Sequence, residues 1–176
     1  MRSPLLPTVT LATNLSSSPN KIAFSLSMQS SSSDSPGSSN QLLSELQQKI
    51  LYGERRPSTS NRIVGVHSPQ IKNDPNFIVR VINNNSDGTT FVESIKQFPD
   101  GTFSRSQKST LAPDSWSDAK IIDVTSQVAN TPTIHTRSDG VTFHRETVDG
   151  VEWLVIKDAA DNIESSYPTG GKPITF

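Results

Sequence analysis

From Phe77 to the end of the chain, β-branched segments alternate with glycine-, asparagine- and aspartate-rich turns, and this rhythm leaves few folds open. Phe77–Ile82 reads as a strand, 83–88 (Asn-Asn-Asn-Ser-Asp-Gly) as a turn, and Thr89–Phe98 as the hairpin partner. Pro99-Asp100-Gly101 is a further turn, from which Thr102–Thr110 can return as a third strand. Val141–Glu146 and Val151–Ile156 flank Asp149-Gly150, the strongest short hairpin signal in the sequence. A turn near Asp161-Asn162 leads to a last strand, Ile163–Tyr167.

Two helical stretches interrupt this pattern. Leu42, Leu43, Leu46 and Ile50 recur on one helical face, with Ser39 or Asn40 as a cap and Gly53 just past the end. A second helix follows Pro113, with Asp114 or Ser115 as the cap, Asp118 in a Ser-x-x-Asp start signal, and Ile121, Val124 and Val128 as its apolar stripe. Ile63–His67 reads as a short strand running into a Ser-Pro turn, and His135 falls in a loop. Consecutive antiparallel strands with two helices define an α+β domain rather than a parallel sheet.

The domain begins near residue 39. Residues 16–39 hold twelve serines, and Asp34 is the only acid before Glu45. Such a segment cannot bury enough apolar surface to offset its ordering entropy. Residues 1–38 therefore read as a disordered serine-rich tail, linker or targeting segment, and 39–176 as the folded domain. The absence of cysteine excludes thiolate catalysis and cysteine-built metal sites, and leaves the compartment open. No apolar run approaches the ~20 residues of a membrane span. The formal charge of −1 conceals an asymmetry: five basic residues against Glu54 between Lys49 and Lys72, and seven acids against Arg145 and Lys157 between Asp139 and Glu164. The first segment can attract a polyanion.

The chemistry must come from histidine, lysine, hydroxyl and phenol groups. His67 is the foremost candidate because it follows Gly65 among basic residues, whose charge would lower its pKa and favour the neutral form. Lys108, with Lys96 as runner-up, is otherwise an ordinary surface charge. Trp116 reads as a core anchor.

Three motifs in order resemble the bacterial EndoU nuclease family: Ile50-Leu51-Tyr52-Gly53-Glu54 followed by Gly65-Val66-His67-Ser68, then 108–117 (Lys-Ser-Thr-Leu-Ala-Pro-Asp-Ser-Trp-Ser), then 163–169 (Ile-Glu-Ser-Ser-Tyr-Pro-Thr). The resemblance implies two helices packed on a curved antiparallel sheet, as in other small ribonuclease toxins of the barnase, colicin and RelE kind. It implies an endonuclease that cleaves single-stranded RNA at uridines, is metal-independent or manganese-stimulated, and leaves 2′,3′-cyclic phosphate ends. RNA is the implied partner, DNA is not expected, and an immunity protein becomes a possible partner. A secreted or delivered toxin is favoured over a cytoplasmic enzyme. Carried over residue by residue, His67 matches the second family histidine, Lys108 the family lysine, and Ser165 and Tyr167 the hydroxyl pair that reads the base. The first family histidine, directly before the Ile-Leu pair, is replaced by Lys49. A lysine is a poor base unless desolvated, but it can serve as an acid or as a charge stabiliser. The same fold without a competent acid–base pair would instead be a module that binds RNA or a protein partner, or a secreted interaction protein.

Overall fold

A computed structural model describes residues 38–176, and side chains from Glu45 onward. Apart from Ser38, the segment read as a disordered tail lies outside the described residues. The order is α1 (Ser38–Tyr52), β1 (Glu54–Arg55), β2 (Ile63–Val64), a 3₁₀ turn (Pro69–Asn73), β3 (Phe77–Asn84), β4 (Thr90–Lys96), β5 (Gln107–Leu111), α2 (Asp118–Ala129), β6 (Thr133–Thr136), β7 (Thr142–Val148), β8 (Val151–Lys157) and β9 (Ile163–Pro168). Every pairing is antiparallel, in sheets ordered β1-β2, β3-β4-β5 and β6-β7-β8-β9. The domain is therefore α+β, as its sequence pattern requires. The edge strands β5 and β9 touch, so the two larger sheets meet along a seam. Among the described residues no helix is long and apolar enough to cross a membrane.

Alternation decides what each sheet buries. On β8, Val151, Trp153 and Val155 face α2, whose Ile121, Val124 and Val128 stripe is buried against them. Trp116 stacks on Trp153 with ring centroids 5.6 Å apart. The Trp153 indole donates to Ser166 Oγ at 2.6 Å, and Thr125 and Ser166 share a 2.7 Å bond, so this core's polar groups are partnered. A second core gathers Ile63, Val66, Ile71, Phe77, Val92 and Leu111 under the three-stranded sheet, and Tyr52 packs against both cores.

Several boundaries differ from the sequence reading, each for a local reason. α1 starts at Ser38, so Ser39 and Asn40 lie inside it rather than capping it. The cap of α2 is Ser117, whose Oγ accepts from Lys120 N at 3.1 Å. Pro113–Trp116 is instead a turn, closed by Trp116 N on Pro113 O, and it delivers the indole to the core before the helix begins. β5 is shorter than Thr102–Thr110 because the chain leaves the ladder at Arg105, whose amide bonds Asn61 O at 2.7 Å. His135 lies on a strand, β6, opposite Phe143. β2 ends at Val64, since Gly65 and Val66 both take positive φ.

Candidate active site

His67 sits on neither large sheet. It is carried by the loop 65–68, which hangs from the last turn of α1. The final carbonyls of a helix have no partner within it. Here Ile50 O accepts from His67 N at 2.9 Å and Leu51 O from Ser68 N at 3.1 Å, while Lys49 O, already bonded by Gly53 N at 3.1 Å, also accepts from Val66 N at 3.4 Å. Only glycine fits at 65: φ is +88°, and a Cβ there would fall 1.9 Å from Lys49 O. Val66, fully buried, holds φ at +77°, a conformation costly for a β-branched residue and found mostly where function requires it. From the other side, His67 O accepts from Ala112 N at 2.9 Å, just past β5.

The imidazole is oriented by Thr110, whose carbonyl lies 2.9 Å from Nδ1. A carbonyl can only accept, so Nδ1 carries the proton and Nε2 is the free basic nitrogen. Burial lowers the pKa from 6.5 to about 4, with the Thr110 bond opposing it, so the ring is neutral at pH 7. The sequence pattern pointed to the same direction but to the wrong cause. Neighbouring cations do not produce the shift: Arg55 is engaged by Asp100 and Asn61, and Arg56 by Glu54.

His67 opens onto a cleft of about 890 Å³ along the seam between the sheets. Its other walls include Arg62, Phe91, Arg105, Lys108, Tyr167 and Lys172, and no lining residue is acidic. Among the described residues, none of the four cations enters an ion pair. The Tyr167 ring lies 5.8 Å from that of His67, and burial raises its pKa. Lys108 is exposed on β5, opposite Glu93, whose carboxylate is taken up by Arg80 and Ser106.

His67, Lys108 and Tyr167 are thus brought to one cleft; the other candidates are not among its lining. Ser165 shares the Tyr167 face of β9 by alternation. The Lys49 ammonium bonds Glu164 O at 2.6 Å in a separate recess bordered by Glu54, Arg56 and Asp158. Its pKa is lowered, first by burial and then by Arg56, with Glu54 and Glu164 opposing. Lys96 is committed to Tyr52 O and Gly53 O. The basic run 49–72 is likewise largely spent on internal pairing, with Lys72 on Asp114, and only Arg62 borders the cleft. Its other cations, Arg105, Lys108 and Lys172, come from β5, its approach, and the segment after β9. The seven acids of 139–164 all lie outside the lining.

A supporting network is absent from the sequence reading. Asp118 accepts from the Tyr52 hydroxyl and, at 2.5 Å, from Ser68 Oγ, while Ser68 Oγ also caps the 3₁₀ turn at Gln70 N. One carboxylate at the start of α2 therefore ties the end of α1 to the residue beside His67. Burial and Asp118 push the Tyr52 pKa up to about 12. Asp118 read from sequence only as a helix-start acid, since its partners lie 66 and 50 residues away.

Metal ions fit poorly here. Among the described residues no group of three or more His, Asp or Glu side chains could hold one, and the cleft offers no carboxylate. The arrangement defines a protein class: an α+β domain with a cationic seam and a buried neutral histidine, suited to a polyanionic substrate. Within that class, the family model for bacterial EndoU nuclease matches residues 43–170, and the chain belongs to that family. No curated protein and no solved structure matches the chain.

Proposed function

We propose that the protein is an endoribonuclease that cuts single-stranded RNA by attack of a ribose 2′-hydroxyl on the adjacent phosphate. The observation that carries this reading is His67, a neutral imidazole with Nδ1–H fixed on Thr110 O and Nε2 basic, on the wall of a cleft whose cations are unpaired. Nε2 takes the proton of the 2′-hydroxyl, and the approaching phosphate raises the pKa of His67 as that proton arrives. Lys108 supplies positive charge to the phosphorane. Bond cleavage expels the 5′-oxygen and leaves a 2′,3′-cyclic phosphate. DNA, without the 2′-hydroxyl, has no nucleophile. Tyr167 stacks the base and Ser165 meets its edge, with uridine the preferred nucleotide.

Lys49 donates the proton to the leaving oxygen. Its lowered pKa makes it a stronger acid than an ordinary lysine. To act it must release Glu164 O, a charge-assisted bond worth about 1.5–3 kcal/mol, and move from its own recess into the cleft. The expected enzyme is therefore slow. The position of Lys49 outside the cleft lining also favours a second reading, a module that binds RNA without cutting it. A delivered toxin with an immunity partner remains the biological setting suggested by the sequence resemblance.

The test is incubation of the full chain with uridine-containing RNA, with and without manganese, beside His67→Gln. Cyclic phosphate ends that disappear in the variant support the enzyme. A folded protein that binds the RNA and leaves it intact over many hours establishes the binding module instead.

A further inference from the structure

The family match ends at Gly170, yet the next residues wall the cleft. After β9 the chain turns on two glycines, Gly170 at φ +64° and Gly171 at φ +75°. A Cβ on Gly170 would stand 3.2 Å from Thr110 Cγ2, on the residue whose carbonyl orients His67. The turn thus presses the following segment against the site. Lys172 places its ammonium 3.9 Å above the ring of Phe91, which belongs to the other large sheet, and so bridges the seam. Lys172, Pro173, Ile174 and Thr175 all line the cleft with His67 and Tyr167.

The segment then crosses the face of the four-stranded sheet away from α2. Arg145, Leu154 and Tyr167 stand side by side on that face, and Phe143, Ile156 and Ser165 form the next row. Phe176 stacks on His135 at 4.4 Å and meets Phe143 edge-on at 5.2 Å. Leu154 is 1% exposed although it belongs to neither of the two cores, consistent with cover from this segment.

We propose that residues 172–176 are a substrate-binding wall of the cleft: Lys172 engages a phosphate of single-stranded RNA neighbouring the scissile one, and Phe176, seated on His135 and Phe143, holds the wall in place. The inference rests on the ribonuclease reading above. It speaks against the opposite role, a strap that obstructs the cleft, because Lys172 adds a cation to a lining that already holds Arg62, Arg105 and Lys108 and, among the described residues, enters no ion pair.

The experiment measures binding of a fluorescent oligouridylate carrying 2′-fluoro sugars, which cannot be cut by 2′-hydroxyl attack. Its affinity is followed from about 50 to 300 mM salt for the intact chain, Lys172→Gln, Phe176→Ala and a chain ending at Gly171. Lys120→Gln, which removes a cation outside the cleft, is the control, and thermal melts confirm folding. Lys172→Gln should weaken binding about threefold or more, and flatten the slope of log affinity against log salt by about 0.7, the value for one single-strand phosphate contact. The Phe176 variant and the shortened chain should lose affinity as well. Unchanged binding, tighter binding on shortening, or an equal loss in Lys120→Gln would each overturn the proposal. Failure of the intact chain to bind would remove the RNA reading, and this wall with it; binding that the tail variants leave intact would remove only the wall.

Discussion

Acidification from pH 7 to pH 4 should withdraw about 3 kcal/mol of folding stability through His67. The unfolded chain takes up a proton on this residue near pH 6.5, whereas the folded chain resists until about pH 4. Between those values the unfolded state holds more protons, so stability is fully present above pH 6.5 and is lost as the pH falls toward 4. Each pH unit of that window is worth about 1.4 kcal/mol, and His67 is 9% exposed, so solvent screening takes little away. Urea unfolding of the wild type and of His67→Gln at pH 7, 5.5 and 4.2 isolates the effect. Glutamine does not titrate, so the wild type should lose about 3 kcal/mol more than the variant on acidification, whatever their offset at pH 7. The carboxylates held low by hydrogen bonds, Asp139 and Asp158 among them, lose their contribution only at lower pH and equally in both proteins. Parallel curves, agreeing within about 0.5 kcal/mol, would refute the claim that burial holds His67 neutral, and with it the identity of the base.

Four further substitutions probe the mount and the chemistry. Gly65→Ala should cost about 3 kcal/mol or more, because an L-residue is strained at φ +88° and its Cβ must displace Lys49 O; a chemical melt showing less than about 1 kcal/mol would contradict this geometry. Lys108→Gln should lower the single-turnover cleavage rate about 10²–10³-fold, as loss of one transition-state charge contact does, and an unchanged rate would remove it from the phosphorane. Lys49→Gln should lower that rate about 10²–10⁴-fold; a loss under about threefold would show that another group protonates the leaving oxygen. Asp118→Asn should lower the Tyr52 pKa part of the way from about 12, leaving the larger effect of burial in place, read as tyrosinate absorbance during alkaline titration, and no movement would dissolve the Tyr52–Asp118–Ser68 link.

The elements that periodicity can see were legible. The stripe of Ile121, Val124 and Val128, the hairpin around Asp149-Gly150 and the stop at Gly53 all follow from side-chain spacing and turn chemistry, which are local. What failed was decided at a distance. Ser117 rather than Ser115 caps α2 because Trp116 must first reach Trp153, a residue 37 positions later in the numbering. β5 starts late because Arg105 is held by Asn61, and no window around Arg105 contains Asn61. The site shows the same division. His67, Lys108 and Tyr167 were found through motifs, and they share a cleft. Of the other cations in its lining, Arg62 belongs to the basic run 49–72, but nothing around Arg105 and Lys172 in sequence marks them out, because the seam between β5 and β9 exists only after both sheets have folded.

The attachment of loop 65–68 to the end of α1 has a consequence for how the site opens. Helix termini are ordinarily the first backbone to fray, since their last carbonyls are free to exchange partners with water. At this terminus the carbonyls of Lys49, Ile50 and Leu51 are occupied by the amides of Val66, His67 and Ser68, so unwinding the final turn and releasing the imidazole are one cooperative event. Any ligand that requires His67 in place is thereby linked to the helical state of residues 49–52, and stabilises it by mass action. Conversely, whatever draws the end of α1 away from the sheets displaces the His67 imidazole without entering the cleft.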